Sequence, residues 1–290
     1  MRRRVRAMAA LAGAFCLSTL TAGGARAAET LTVDALIAGL EREIAAIDPT
    51  PAVRADFAKI ARDHALPVDA AALRDYLRVK TAFEATREAG WWRLAWTITD
   101  RQPQSDAIWA AWRSAGDAVP RITASAECDE TSALVSLILR RLGVKSVGLF
   151  WPQSNHTVAV WKAHAHDGTE VRIVLPTSQV FLEPDDGFDT RAFDPKRQRT
   201  IYDYTRADVK GSDAIPAVLG EFFLAQVRRY AAASDRTQRS LRVLRARFMS
   251  GEGTRSLEAD RQALALRLRT EKVQEDLPAV EAFGDEIAGR

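Results

Sequence analysis

The apolar residues of this chain change their spacing near its middle, and that change limits the folds the chain can adopt. From about 30 to 88, and again from 214 to the end, apolar residues recur every three or four positions, which is the spacing of amphipathic helices. Between these regions lie three β-prone runs, KSVGLFW, HTVAVWKAH and EVRIVL, directly after a helical run, CDETSALVSLILRRLGV. We therefore predict an α+β fold in which this helix packs on a small antiparallel sheet and is flanked by N- and C-terminal helical regions.

The pair Asp167-Gly168 lies between the last two β-prone runs and predicts a tight hairpin turn. A two-residue turn at this pair places His166 opposite Thr169. Because the pairing of a hairpin follows from its turn, the same register places His156 opposite Gln179. Pro176 has no backbone N–H to donate, so the pairing can be interrupted there.

The first 27 residues have the layout of a signal peptide: a basic start, an apolar stretch from Ala7 to Leu20, and small residues around Arg26. The apolar stretch is shorter than the roughly 20 residues that a membrane anchor needs. Cleavage after Ala27 removes five arginines and leaves 36 basic against 38 acidic residues in place of 41 against 38, so the charge changes from +3 to −2. We therefore expect a periplasmic or extracellular protein without a stable membrane anchor or a nucleic-acid partner.

Four regions follow from these patterns: the signal peptide 1–27, a helical region 28–119 with a tryptophan-rich segment, a core with a long polar loop over 120–213, and C-terminal helices over 214–290. The tryptophan-rich segment holds five of the seven tryptophans and is either a core wedge or the lining of a groove. Arginine recurs every third residue from 236 to 245, which indicates either a solvated helix face or a basic stripe for an anionic surface.

Cleavage also removes Cys16 and leaves Cys128 as the one thiol of the mature chain, so no intramolecular disulfide can form. Cys128 opens a predicted helix, where the helix dipole favours a thiolate. The neighbouring acids Asp129 and Glu130 act in the opposite direction, because negative charge raises the pKa of a thiol. The residues alone therefore leave three roles open for Cys128: a buried core residue, a partner in an intermolecular disulfide, or a reactive nucleophile.

A nucleophilic cysteine needs a base, and His156 has a suitable spacing. It begins the second β-prone run, 28 residues after Cys128, so a helix, a turn and a strand can return the chain to the head of the helix. The pair His164 and His166 flanks the hairpin turn without a third clustered ligand, so we expect no metal site and no cofactor.

The stretch ECDETSALVSLILRRLGVKSVGLFW…NHTVAVWK…EVRIVLPTS resembles the core of the transglutaminase-like superfamily, which is related to papain. The resemblance covers about 120–183, roughly 60 residues. It implies that Cys128 is the nucleophile, that His156 is the general base, and that the Leu142-Gly143-Val144 segment is the family turn. The family places an aspartate before a Pro-Thr-like pair, but this chain has Leu175 there.

A leucine cannot orient an imidazole, so a third group has to come from elsewhere. On the register given above, Gln179 lies opposite His156 and could orient its imidazole. An interruption of the pairing at Pro176 would instead bring Thr177 or Ser178 nearest to His156. The resemblance implies an exported thiol enzyme that hydrolyses or transfers peptide or amide acyl groups, with a protein or peptide substrate in the cell envelope. The alternative is a catalytically inactive envelope module that binds protein or glycan.

Overall fold

The structure is a computed structural model that describes residues 29–99, 104–151, 156–178 and 209–289, with the backbone alone for 147–151. The described chain is a mixed α+β fold, mostly helical with small sheets, as the spacing predicts. The helices are α1 Val33–Ala45, α2 Pro51–Asp63, α3 Ala70–Thr86, α4 Asp106–Arg113, α5 Cys128–Arg141, α6 Ala217–Tyr230, α7 Asp235–Met249, α8 Thr254–Thr270 and α9 Leu277–Ile287. The strands are β1 Thr30–Thr32, β2 Leu94–Trp96, β3 Ala124–Ala126, β4 Ser146–Trp151, β5 His156–His164, β6 Glu170–Leu175 and β7 Ala214–Pro216.

The three β-prone runs form one antiparallel sheet in the order β4-β5-β6. Helix α5 packs against β4 and β5 on one side and against α3 on the other. This second contact explains why buried residues surround the helix rather than forming one stripe. The leucine and isoleucine side chains of α5 and its C-cap are all buried: Leu134, Leu137, Ile138, Leu139 and Leu142.

The predicted register of the β5–β6 hairpin is wrong by one residue. Ala159 pairs with Leu175, and the loop has three residues, because the Ala165 N–H donates to the Thr169 carbonyl at 2.9 Å. Gly168 has φ +84°, the left-handed conformation that commonly closes such three-residue loops. The backbone N–H of His166 donates instead to the Ala65 carbonyl at 2.9 Å, which takes His166 out of the ladder.

Two further pairs of short strands join distant parts of the chain. β1 and β7 pair antiparallel and bring the start of the described chain to the head of α6. β2 and β3 pair in parallel and bring part of the tryptophan-rich segment beside the residues that precede Cys128. Only Leu94–Trp96 of that segment forms a strand, since Trp92 lies in a turn and Ile98 is 67% exposed.

The tryptophan-rich segment packs into the hydrophobic core, which is the first of its two interpretations. Trp91, Trp92, Trp109 and Trp112 are fully buried, and Trp92 stacks on Phe223 at 4.4 Å between ring centroids. They belong to one apolar core that includes side chains from α1 through α9. In the part of the chain that the structure describes, no helix has the length and apolar character needed to cross a membrane.

Both interpretations of the arginine repeat are wrong for half of its members. Arg242 and Arg245 are 4% and 1% exposed, so they belong neither to a solvated face nor to a surface stripe. Arg245 pairs with buried Glu286 of α9 at 3.5 Å. Arg236 is the exposed member that matches the expectation, with an ion pair to Glu271 at 2.7 Å.

The turn that introduces the tryptophans depends on a glycine. A Cβ on Gly90 would lie 2.4 Å from the Glu84 carbonyl oxygen and 2.8 Å from that of Arg87, and neither backbone atom can move without disturbing the end of α3. We expect Gly90→Ala to lower the free energy of unfolding by about 1–3 kcal/mol, measured by urea unfolding. Gly116→Ala is the matched control, because nothing lies within 4 Å of its Cβ position. Equal stability of the two variants would contradict this account of the turn.

Candidate functional site

Cys128 is the first residue of α5, as expected from the sequence. A reciprocal pair of hydrogen bonds caps this helix: the Glu127 side chain accepts from the backbone of Glu130, and the Glu130 carboxylate accepts from the Glu127 N–H at 3.1 Å. Thr99 binds both acids, donating its N–H to Glu127 and its hydroxyl to Glu130 at 3.1 and 3.0 Å. The residues after β2 therefore fix the turn from which Cys128 projects. The thiol is not in a disulfide, and the residue is half-buried.

His156 is the first residue of β5 and is 1% exposed. Its backbone pairs with that of Trp151 at the end of β4, so the position of the residue is set by the sheet. His156 therefore lies at one end of the central strand of the sheet on which α5 packs. The sequence prediction that His156 begins the strand is therefore confirmed.

The head of α5 and the head of β5 meet around one hydroxyl group. Ser132 Oγ lies 2.6 Å from the Cys128 carbonyl oxygen and 3.3 Å from that of Thr157, the residue after His156. The structure therefore brings together the helix and the strand that carry the two expected residues.

The electrostatic environment does not favour a thiolate–imidazolium pair in the resting site. Burial raises the pKa of the Cys128 thiol, and the Asp129 and Glu127 carboxyl groups add to the increase against the opposing N–H of Thr157. Burial also lowers the pKa of His156 to about 4. The imidazole is therefore neutral at ordinary pH.

Asp129 directly follows Cys128 in the chain, and its own pKa is shifted. Burial, together with the nearby Glu127 carboxylate, raises the pKa of Asp129 to about 7. Near neutral pH this side chain is therefore partly protonated, and its deprotonation adds negative charge beside Cys128. Of the two acids expected to raise the pKa of the thiol, Asp129 does so, and the second contribution comes from the N-cap residue Glu127 rather than from Glu130.

The residues proposed to orient His156 change with the corrected register. Leu175 is fully buried in the apolar core, so it takes no part in polar contacts. Gln179 lies outside the described residues, and the position opposite His156 in the observed register is now Ser178 rather than Gln179. The ladder itself ends at Leu175, so Ser178 lies beyond the last paired residue. Ser178 is 2% exposed, and within the described part of the chain its hydroxyl has no hydrogen-bond partner.

The other histidines of the hairpin lie far from this junction. His156 and His164 are the first and last residues of β5. A nine-residue strand spans about 26 Å, so the two histidines lie at opposite ends of the strand. His166 Nδ1 lies 2.9 Å from the Ala65 carbonyl oxygen. Across the residues that the structure describes, no three His, Cys, Asp or Glu side chains are grouped so that they could hold a metal ion.

A cluster of buried hydroxyl groups lies behind Cys128, and the residue pattern does not predict it. Thr131 and Ser132 of α5 meet Thr177, with Oγ–Oγ distances of 2.9 and 3.0 Å. The signal in the sequence was two adjacent hydroxyl residues at the start of an otherwise apolar helix. That pattern alone predicts only a helix N-terminus, since Ser and Thr are common there.

The comparisons with known proteins do not place this chain in a family. A scan against protein-family models, a search of curated proteins and a search of solved structures all find no match to it.

Proposed function

We propose that this chain is an exported, transglutaminase-like thiol enzyme in which Cys128 attacks a peptide or amide carbonyl and His156 acts as general base. The observation that carries the proposal is the contact between the head of α5 and the start of β5: Ser132 Oγ lies 2.6 Å from the Cys128 carbonyl oxygen and 3.3 Å from that of Thr157, the residue that follows the histidine. The α5 helix on a three-stranded antiparallel sheet is the arrangement that the resemblance implies. The signal peptide and the long polar loop lie outside the described residues, apart from 209–213 of the loop, and export remains part of the proposal.

The chemistry requires the proton to move during the attack. Because the thiol pKa is raised and the His156 pKa is lowered to about 4, the resting site holds a neutral thiol and a neutral imidazole. As Cys128 Sγ bonds to the carbonyl carbon, the imidazole takes the thiol proton, and it returns that proton to the departing amine. Water then attacks the thioester, gives the carboxylic acid and restores the thiol.

A hydrolysis assay with p-nitrophenyl acetate tests this function. The expected result is repeated turnover, with an acetyl group on Cys128 detected by intact mass and removed by hydroxylamine. Cys128→Ser should abolish both signals. If the folded protein releases p-nitrophenol no faster than an equal concentration of free cysteine, Cys128 is not a catalytic nucleophile.

The runner-up is an inactive envelope module that binds protein or glycan, and one observation favours it. Burial and two carboxyl groups raise the pKa of the thiol, which suits a cysteine without a catalytic role. This module would give no acetyl-enzyme, and its binding of envelope peptides or glycan fragments in titration calorimetry would be the same in Cys128→Ser as in the wild type.

A further inference from the structure

Three buried hydroxyl groups connect the first turn of α5 to the segment that follows β6. Thr131, Ser132 and Thr177 are 3%, 0% and 0% exposed, so water does not compete for their hydrogen bonds. Thr177 Oγ1 lies 2.9 Å from Thr131 Oγ1 and 3.0 Å from Ser132 Oγ. These three side chains are called the hydroxyl cluster below.

The hydroxyl cluster binds the backbone of the cysteine itself. Ser132 Oγ donates to the Cys128 carbonyl at 2.6 Å, and Thr177 Oγ1 lies 3.4 Å from the same oxygen. Each hydroxyl has one proton, and Thr131 Oγ1 also lies 2.9 Å from the Glu127 carbonyl oxygen and 3.2 Å from that of Cys128, so the protons can be ordered in more than one way. In each order Thr177 is the member that contacts both other hydroxyl groups, and removing it takes away the link between α5 and the segment after β6.

Thr177 is itself held from the other side. The backbone N–H of Glu88 donates to the Thr177 carbonyl at 2.8 Å, which attaches this residue to the turn after α3. Ser132 Oγ also lies 3.3 Å from the Thr157 carbonyl oxygen, on β5. Thr157 directly follows the proposed base, His156. The hydroxyl cluster therefore joins α5, β5 and the segment after β6, and the Thr177 carbonyl attaches it to the turn after α3.

We propose that Thr177 is a positioning residue, whose hydroxyl holds the first turn of α5 against the start of β5 so that Cys128 keeps its place at the head of the strand that His156 begins. The proposal rests on the proposed function. Thr177 acts through Ser132 and the Cys128 carbonyl. A valine would have a similar shape but could not donate to Ser132 or accept from Thr131, so the turn could move away from the strand.

The experiment compares Thr177→Val and Thr177→Ser with Ser146→Ala in the full mature chain. Ser146 is the matched control, because its buried hydroxyl also joins the α5 and sheet layers, at 2.9 Å from the Val160 carbonyl and 3.3 Å from Ser136 Oγ, away from Cys128. The readouts are Tm and the rate of acetylation of Cys128 by p-nitrophenyl acetate as a function of pH. A purely structural role would move Tm in both Thr177→Val and Ser146→Ala but would spare the acetylation rate of the folded protein.

The expected result is a fall in acetylation rate of about 10- to 100-fold in Thr177→Val, as for a small misplacement of a reacting group. Thr177→Ser should remain within about threefold of wild type, since it keeps the hydroxyl, and Ser146→Ala should acetylate like wild type. Wild-type acetylation in folded Thr177→Val, or an equal fall in Ser146→Ala, would overturn the proposal while leaving the enzyme function intact.

A second measurement separates this proposal from the proposed function. If the wild type forms no acetyl-enzyme, the function fails, but hydrogen exchange at the Thr157 amide still reports how firmly the first turn of α5 is held against the start of β5, where Ser132 Oγ meets the Cys128 and Thr157 carbonyl oxygens. Thr177→Val should then exchange this amide at least tenfold faster than Ser146→Ala does, relative to wild type. Equal exchange in the two variants would overturn the positioning role whatever the activity.

Discussion

Replacing Glu286 with leucine should lower the free energy of unfolding by about 3–5 kcal/mol, the usual cost of removing one partner from a buried ion pair. Its carboxylate accepts from Arg93 Nε at 2.8 Å and from the Tyr230 hydroxyl at 2.7 Å, and it pairs with Arg245 at 3.5 Å. Arg93 and Arg245 are 7% and 1% exposed, so both guanidinium groups would remain in the core without this counter-charge. Guanidinium chloride unfolding at pH 7 measures the change.

The control is Glu286→Gln, which keeps the size and part of the hydrogen bonding while removing the charge. Burial would raise the pKa of Glu286, but the charges of Arg245 and Arg93 outweigh it and hold the pKa below its usual value. A lowered folded pKa gives stability that is fully present above about pH 4.5 and is lost as pH falls through the folded pKa. The difference in stability between the wild type and Glu286→Gln should therefore shrink as pH falls from 5 to 3. A difference that is constant over this interval would contradict the role assigned to the charge.

The helices and the order of the main sheet could be predicted because each depends on local patterns. Helix α5 begins at Cys128, and β5 begins at His156, where the apolar spacing and the residue types change. Where the helix starts and where the strand starts both follow from nearby residues, so neither prediction needs knowledge of distant contacts. Chain length and the resemblance predict that the heads of α5 and β5 meet, and the structure adds the contacts of Ser132 Oγ with the Cys128 and Thr157 carbonyl oxygens.

The register of the hairpin could not be predicted from its turn residues, because a distant residue decides it. Asp167-Gly168 suits both a two-residue and a three-residue loop. His166 donates its backbone N–H to Ala65, at the end of α2, and its ring Nδ1 lies 2.9 Å from the same carbonyl. This contact spans 101 positions and selects the longer loop, which replaces Gln179 with Ser178 opposite His156.

The buried arginines show a similar limit of sequence reasoning. A repeat of every third residue identifies one face of α7, but it does not say whether that face meets water or another helix. The charge of buried Arg245 is compensated by the carboxylate of Glu286, which lies 41 positions later on α9. The parallel pairing of β2 with β3 is also non-local, since the residues between them include the whole of α4.

The second large effect is expected at the proposed base: His156→Gln should lower the rate of Cys128 acetylation by about 10²- to 10⁴-fold, the usual contribution of a general base. Because burial lowers the pKa of His156 to about 4, the wild-type kcat/KM should stay high down to about pH 5 and fall only near pH 4. In His156→Gln the rate should instead rise with hydroxide concentration across this range, since no imidazole remains to take the thiol proton. Stopped-flow release of p-nitrophenol measures both profiles.

His164→Gln is the matched control, because it changes a histidine at the other end of the same strand. Its acetylation rate and pH profile should equal those of the wild type. Circular dichroism and Tm establish that His156→Gln is folded, since its side chain is only 1% exposed and the substitution also changes packing. A folded His156→Gln that acetylates at the wild-type rate would show that the thiol reacts without this imidazole. The junction of α5 and β5 would then be a structural feature of the fold, and the inactive envelope module would be the better account of the chain.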